Sequence, residues 1–325
     1  MIKRIIVLAL CSLLLAPCSS VQAQQPKKVP RIGYAASGGD SNNPGRLVEA
    51  FRQGLRDLGY IEGKNIVVEY RYPGTNRDPG PGVVAELMQL KVDVLVSSSA
   101  GAIRAAKQAT KTIPIVMVAS FDPVETGLVD SLARPGGNIT GVARLTHELS
   151  GKRLELFKEA VPWISRVAIL AAPGSPSLRE YEPAARALKI SLESLEVNGP
   201  NPDLEGAFQS AVKARVNALI TVASSSVNRF TKQILELAIK NRLPSMHEVS
   251  TRVEAGGLMS YSADDAAIFR HAAVYVDKIL KGAKPGEIPV EQPTKFEFFI
   301  NLKTAKQIGV TIPPNVLARA DKIIR

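Results

Sequence analysis

The 325-residue sequence predicts an α/β protein built from two doubly wound lobes with parallel sheets. Short apolar runs rich in Val and Ile alternate along the chain with segments of helical periodicity, which is the pattern of βαβ units. The second half repeats the scheme of the first, so the same flavodoxin-like lobe is predicted twice. Turn-rich segments between and after the halves indicate that several crossovers join the lobes.

The first half contains four predicted strands, at residues 31–36, 65–72, 92–98 and 114–119, and helices at 45–58, 83–90 and 100–110. Gly59 follows the periodic apolar face of the first helix, as expected of a glycine in the left-handed conformation after a helix C-terminus. We interpret the turn-rich residues 134–141, which lead into the extended segment 139–145, as the first crossover between the lobes.

The second half contains predicted strands at 166–171, 191–197, 218–223 and 243–247, helices at 148–160, 177–188, 204–214 and 228–240, and then an extended segment at 258–262, a helix at 264–280 and a strand at 296–301. We expect residues 30–140 and 258–288 to form the N-terminal lobe, and residues 141–257 and 289–325 to form the C-terminal lobe. Because several crossings act as a hinge, this organisation predicts rigid closure about a cleft.

The N-terminus has the pattern of a signal peptide: two basic residues precede an apolar run that is too short to span a bilayer. Small residues at 21 and at Ala23 predict that residues 1–23 are removed, which places the protein in the periplasm. A lipoprotein is the alternative, since Cys18 ends an approximate lipobox in which Pro17 occupies the place of a small residue. Both cysteines lie in the predicted leader, so the mature chain would have no disulfide.

Composition narrows the function classes. The formal net charge is +11, but the basic residues are spread along the chain without interleaved aromatics, which favours a solvated surface over nucleic-acid binding. A hydrophobic content of 45% is enough for two full cores without cross-links. No transmembrane helix is predicted after the leader, and nothing before Pro30 resembles a helix-turn-helix.

Ligands of open parallel sheets bind at the carboxyl ends of the strands, where polar loops converge. Serines recur in these loops, and those ahead of helices place hydroxyls and amides where a carboxylate can bind. Each such serine can also be an ordinary helix cap, and that alternative stays open. The candidate ligand-binding residues are Ser37, Ser98, Ser99, Ser120, Phe121 and Asp122 in the first lobe, and Pro173, Ser175, Ser224, Ser225, Glu248 and Tyr261 around the second.

A cleft also needs an apolar wall and a partner for a ligand cation. Tyr34, Phe121 and Tyr261 are candidates for the wall, although the first two are equally expected in a lobe core. Asp122 or Glu248 would pair with the cation of an amino acid ligand, and we favour Glu248. A solvated loop residue or an interlobe ion pair is the alternative for Glu248.

Catalytic motifs are absent from the sequence. There is no Walker loop, GxGxxG, GxSxG or HExxH motif, and His147, His247 and His271 lack metal-ligand spacing. His247 adjoins Glu248, but a structural histidine is favoured over a general base. The sequence therefore favours a binding protein over an enzyme, and no metal site is predicted.

Three ordered motifs carry a family resemblance: Ser-Leu-Ala-Arg-Pro-Gly-Gly-Asn-Ile-Thr-Gly at 131–141, Ala-Gly-Gly-Leu-Met-Ser-Tyr at 255–261 and Pro-Val-Glu-Gln-Pro-Thr-Lys-Phe at 289–296. Together they resemble the ABC-transporter substrate-binding proteins with a type I periplasmic-binding-protein fold, some of which look like receptors for tryptophan or tyrosine. The resemblance spans essentially all of the predicted mature chain.

This resemblance implies a two-lobed, cofactor-free receptor that captures a small ligand for a membrane permease with a cytoplasmic ATPase. We expect the protein to be a monomer. The ligand stays open between an amino acid and another small carboxylate. Two other functions remain as alternatives: a ligand-sensing subunit of a membrane receptor, and an exported enzyme on the same scaffold.

Overall fold

A computed structural model describes residues 28–37, 39–72, 80–144, 146–175, 177–199 and 201–325. The predicted leader therefore lies outside the described residues. The strands are β1 (Arg31–Ala35), β2 (Val67–Arg71), β3 (Val94–Ser97), β4 (Ile115–Ala119), β5 (Ile139–Ala143), β6 (Arg166–Ala171), β7 (Ser191–Glu196), β8 (Ala218–Thr221), β9 (Ser245–His247), β10 (Met259–Ala263), β11 (Phe296–Asn301) and β12 (Lys322–Ile324).

The helices lie between these strands, and short 3-10 turns at Thr146–Leu149 and Pro285–Glu287 accompany them. The helices are α1 (Arg46–Asp57), α2 (Pro81–Gln89), α3 (Ala100–Ala109), α4 (Ser150–Ala160), α5 (Ser177–Leu188), α6 (Leu204–Lys213), α7 (Ser225–Arg229), α8 (Thr231–Lys240), α9 (Ser250–Glu254), α10 (Asp265–Leu280), α11 (Leu302–Ile308) and α12 (Pro314–Leu317).

Two sheets organise the chain. The first has the order β2-β1-β3-β4-β5 and is parallel throughout, and the second has the order β12-β11-β10-β9-β8-β6-β7. Five strands of the second sheet, β7-β6-β8-β9-β10, repeat the order of the first, and only the β10–β11 pair is antiparallel among the described ladders. The prediction of two doubly wound, flavodoxin-like lobes is confirmed.

Helices cover both faces of each sheet, as the near-continuous apolar strands require. In the first lobe, α1 and α10 cover one face, and α2 and α3 cover the other. The α1–α10 contact is close because Gly54 has no side chain, and a Cβ there would overlap the Arg270 carbonyl oxygen. Thus α10 belongs to the first lobe although it follows a strand of the second.

The chain crosses between the sheets three times: after β5, between β10 and α10, and between α10 and β11. Residues 134–141, predicted to be the first crossover, instead lie within the first lobe. The Gly136 N–H there donates to the Gly286 carbonyl at 3.2 Å, and β5 continues as a buried fifth strand paired with β4. The first crossing therefore begins after Ala143.

The predicted ranges of the lobes also divide differently in the structure. Residues 258–262 were expected in the first lobe, but Met259 pairs with Met246 and Ile300 in the second sheet. Conversely, Val290 was expected in the second lobe, but it lies in a core of the first lobe. Extended segments between lobes have the same local pattern as strands, so only the pairing assigns them. The sequence prediction also missed α9, α11, α12 and β12.

None of the helices in the part of the chain that the structure describes is both long enough and apolar enough to cross a membrane.

Candidate functional site

The first sheet has its switch point between β1 and β3, whose following helices α1 and α3 lie on opposite faces. The loops therefore diverge at the carboxyl ends of these strands and leave a crevice, which is where open α/β sheets bind ligands. Ser37 follows β1 and Ser98 follows β3, and the Ser98 hydroxyl donates to Ser37 Oγ at 2.9 Å. The structure thus brings these two predicted residues together at the switch point.

The serines on either side of Ser98 have internal roles. Ser99 is the N-cap of α3, and its hydroxyl oxygen accepts the Ala102 N–H at 3.2 Å. Ser97 donates to the Ala35 carbonyl at 3.0 Å and accepts the Ser99 N–H at 3.1 Å. Ser99 is therefore an ordinary helix cap, whereas Ser98 is half-buried and borders the crevice.

Ser120, Phe121 and Asp122 follow β4, the next strand along this edge, and all three are half-buried. Asp122 Oδ1 accepts the Val124 and Glu125 amides at 2.7 and 3.1 Å, so the carboxylate caps a turn and has its Oδ2 for another partner. Phe121 packs against the α3 side of the first core.

The second sheet repeats the switch point between β6 and β8. After β6, Pro173 is exposed and Ser175 Oγ lies 2.6 Å from Ser177 Oγ at the start of α5. After β8, Ser224 caps α7 by accepting the Val227 N–H at 3.2 Å. The backbone of Ser225 begins α7, and its side chain lies outside the described residues.

Glu248 has internal partners rather than a place on the surface of the cleft. Its Oε1 lies 3.3 Å from Arg153 Nη1 and accepts the Tyr181 hydroxyl at 3.5 Å, and its Oε2 accepts the Ala223 N–H at 2.9 Å. Arg153 Nε in turn donates to the Tyr261 carbonyl at 2.8 Å. This finding corrects both alternatives considered for Glu248, because the ion pair is buried within one lobe.

A second buried cation fixes the β8 loop. Arg252 donates to Thr221 Oγ1 and to Asn228 Oδ1, both at 2.6 Å, and also to the Val222 carbonyl. Burial lowers the pKa of Arg252 to about 10, and the nearby Glu248 carboxylate opposes that shift. Arg252 therefore stays charged at neutral pH and joins the end of β8 to α7.

His247 belongs to the same network. Burial, and then the Arg252 charge, hold the pKa of His247 well below 6.5. Because Thr221 Oγ1 accepts from Arg252, its hydrogen is donated to His247 Nδ1 at 2.7 Å, and we assign the ring N–H to Nε2, which lies 2.9 Å from Ser245 Oγ. A Cβ at Gly257 would overlap His247 Nε2. His247 is thus a neutral structural residue.

The aromatic candidates Tyr34 and Tyr261 differ in burial. Tyr34 is buried against Phe51 and Tyr70, with ring centroids 5.0 and 5.6 Å apart, so the core interpretation holds for it. Tyr261 is half-buried on β10, and its ring stacks on Phe296 at 5.9 Å. No group of three or more His, Cys, Asp or Glu side chains able to hold a metal ion occurs among the described residues.

The family model described as ABC transporter substrate binding protein matches residues 42–324, which is most of the chain. The chain belongs to this family. The resemblance expected from the three sequence motifs is confirmed.

Individual relatives of this substrate-binding protein agree with the assignment. A tyrosine-binding protein of Clostridioides difficile (strain R20291) is 26% identical over 270 residues, covering 81% of this chain and 76% of the relative. A conserved domain protein of Vibrio cholerae is 27% identical with a TM-score of 0.79, covering 91% and 100% of the two chains. An ABC domain of Streptococcus pneumoniae in complex with L-Trp has the same TM-score at 23% identity, with 91% and 99% covered.

Sequence reasoning missed the two buried cations of this substrate-binding protein, Arg153 and Arg252. A signal for Arg153 was present, because it occupies the apolar face of α4 together with Phe157 and Ala160 at helical spacing. A cation in such a position requires a buried carboxylate, and Glu248 after β9 was available. No comparable periodicity marks Arg252 in the short helix α9.

Proposed function

We propose that this substrate-binding protein captures a small carboxylate ligand, an amino acid in the first instance, between its lobes in the periplasm and delivers it to the permease of an ABC importer. The observation that carries the proposal is the Ser37–Ser98 hydrogen bond at the switch point of the first sheet. The family supplies the transport context. Tyrosine and L-Trp, named for two relatives, are the first ligands to test.

A ligand carboxylate is proposed to lie on the first lobe. The hydroxyls of Ser37 and Ser98 border the crevice, and α3 begins beside them with its amide dipoles directed at the same place. Ser120 adjoins this group at the end of β4. Hydroxyl donors at a positive helix end favour an anion, and a charged acceptor strengthens each hydrogen bond.

The ligand ammonium is proposed to pair with Asp122. Glu248 was the favoured partner, but both of its oxygens are occupied by Arg153, Tyr181 and Ala223. Asp122 offers Oδ2 on the same lobe edge as the serines, while Oδ1 holds the turn. Phe121 and Tyr261 would then contact the apolar part of the ligand, with Pro173, Ser175, Ser224 and Ser225 approaching from the second lobe.

Closure about the cleft is supported by the way the crossings are paired. Glu291 is tied to β5, because the Ala143 N–H donates to its carbonyl at 2.9 Å, whereas Lys295 is tied to the end of β10 through the Asp264 N–H at 3.2 Å. Residues 292–294 between them are attached to neither lobe by these bonds. We propose that they, together with the residues around Arg144 and Asp264, form the hinge.

The test is a calorimetric titration with paired ligands. L-Tryptophan and L-tyrosine should bind, and Asp122→Asn should weaken their binding at least tenfold, about 1.4 kcal/mol. The des-amino acids indole-3-propionate and 4-hydroxyphenylpropionate lack the ammonium, so the same variant should leave their affinity unchanged. An equal loss for both kinds of ligand would remove the proposed role of Asp122.

Transport and closure need their own measurements. Deletion of the gene should abolish uptake of the identified ligand, and normal uptake would contradict the importer role. Small-angle scattering should show a smaller radius of gyration at saturating ligand, and identical curves with and without ligand would contradict hinge closure.

A further inference from the structure

Arg46 joins the two lobes through side-chain contacts that are separate from the crossing segments. It is the first residue of α1 in the first lobe, and its Nη1 lies 3.3 and 3.2 Å from Oε1 and Oε2 of Glu254 on α9 in the second lobe. Its Nη2 donates to Ser250 Oγ at 3.1 Å. One guanidinium therefore bridges both ends of α9.

The position of this bridge relates it to opening and closing of the cleft. Helix α1 starts after the β1 loop that carries Ser37, and α9 starts after the β9 loop that carries Glu248. Both loops stand at carboxyl ends of their sheets, so the bridge spans the proposed cleft. Since Arg46 and Glu254 lie on different lobes and on no crossing segment, we expect opening of the cleft to lengthen the distance between them.

Glu254 is already held by its own lobe. The Lys322 ammonium on β12 contacts Glu254 Oε1 at 2.8 Å, and this pair lies within the second lobe. Glu254 is therefore oriented before the lobes meet, and Arg46 is the partner that arrives on closure. A planar guanidinium suits this task because it contacts the carboxylate and the Ser250 hydroxyl at the same time.

We propose that Arg46, Ser250 and Glu254 form a latch that favours the closed state and sets how long the ligand stays bound. This inference rests on the proposed capture of a ligand by closure. The side chains of Arg46 and Glu254 are 36% and 31% exposed, so solvent screens the pair and its effect is modest. A modest latch is appropriate, because the ligand must also be released to a permease.

The experiment is a double-mutant cycle with Arg46→Gln, Glu254→Gln and the double variant. Arg56→Gln is the matched control, because Arg56 lies on the same helix and its side-chain hydrogen bonds go to Gln53 within α1. With L-tryptophan as the probe, loss of the latch should raise the dissociation rate about two- to fivefold and leave the association rate unchanged. The double variant should dissociate no faster than Arg46→Gln.

Scattering of the ligand-free protein is the second readout, and Arg46→Gln should increase the radius of gyration while Arg56→Gln should not. Additive effects in the cycle would overturn the latch, because the two residues would then act by separate routes. Should wild type fail to bind L-tryptophan, the proposed ligand class fails but the latch is still tested: an unchanged radius of gyration in ligand-free Arg46→Gln overturns it.

Discussion

The Arg153 guanidinium and the Glu248 carboxylate form an ion pair across 3.3 Å in the interior of the second lobe, where the two side chains are 0% and 3% exposed. Each member also holds a segment of the candidate site: Glu248 accepts the Ala223 N–H after β8, and Arg153 donates to the Tyr261 carbonyl on β10. The pair therefore positions the residues after β8 and strand β10, both of which carry candidate ligand-binding residues.

Loss of one partner from this pair should be costly to stability. Glu248→Gln leaves the Arg153 charge buried without its carboxylate, and breaking a buried pair in this way costs about 3–5 kcal/mol. We expect the free energy of unfolding, measured by urea denaturation, to fall by an amount of this order. Glu236→Gln, which affects only an exposed pair with Lys232, should change it by less than about 1 kcal/mol.

The double variant Arg153→Met/Glu248→Gln removes both charges and should recover part of the loss. If Glu248→Gln were as stable as wild type but bound ligand more weakly, Glu248 would be a ligand partner after all.

Adjacent serines after β3 should respond differently to alanine. Ser98→Ala removes a hydroxyl from the crevice, and its loss should weaken ligand binding by about 0.5–1.5 kcal/mol, or up to about 3 if the acceptor is a carboxylate. Ser99→Ala removes the cap of α3 and should lower stability by about 1 kcal/mol. Calorimetric titration and thermal melting of both variants separate the two effects. Equal binding losses would contradict the distinction between crevice and cap.

Much of the fold was predictable because alternation of buried strands and amphipathic helices is a local signal. That alternation predicts parallel βαβ units in both halves, and the right-handed βαβ rule limits the possible strand orders without choosing among them. The local signal does not determine which lobe an extended segment joins. Met259–Ala263 is an extended segment that could equally link the lobes. Its place in the second sheet is decided by its pairing with β9 and β11. No local pattern in the sequence identifies these two strands as its neighbours.

The candidate site was predictable to the level of loops but not of individual roles. Ser98 and Ser99 are adjacent serines that the sequence does not distinguish. Only the residue at which α3 begins decides that Ser99 caps the helix while Ser98 borders the crevice. Glu248 follows a strand in the manner of a ligand-binding residue, yet a cation 95 residues away along the chain neutralises it.

The N-terminus is predicted to mature at Gln24. Ala23 completes a better cleavage site than Pro17 and Cys18, so mass spectrometry of the exported protein should give a chain without lipid. These residues lie outside the described structure. An acylated Cys18 at the mature N-terminus would contradict the prediction and indicate a membrane-anchored lipoprotein.

His247 should make stability depend on pH. Its folded pKa is held well below 6.5 by burial, whereas the unfolded chain binds a proton near 6.5. The unfolded state therefore gains protons first as the pH falls, and stability declines below about pH 6.5 with a slope approaching about 1.4 kcal/mol per unit.

Urea denaturation between about pH 7 and 5 tests whether stability falls as the pH falls. His247→Gln should flatten the dependence of the free energy of unfolding on pH. His271→Gln, at a partly exposed position of α10, should keep most of that dependence. If His247→Gln does not fold, the ring proton resonances of wild-type His247 test the same point, because the midpoint of their titration should lie well below pH 6.5. A His247 ring that titrates near 6.5 would show that the Thr221–His247–Ser245 chain does not hold the imidazole neutral.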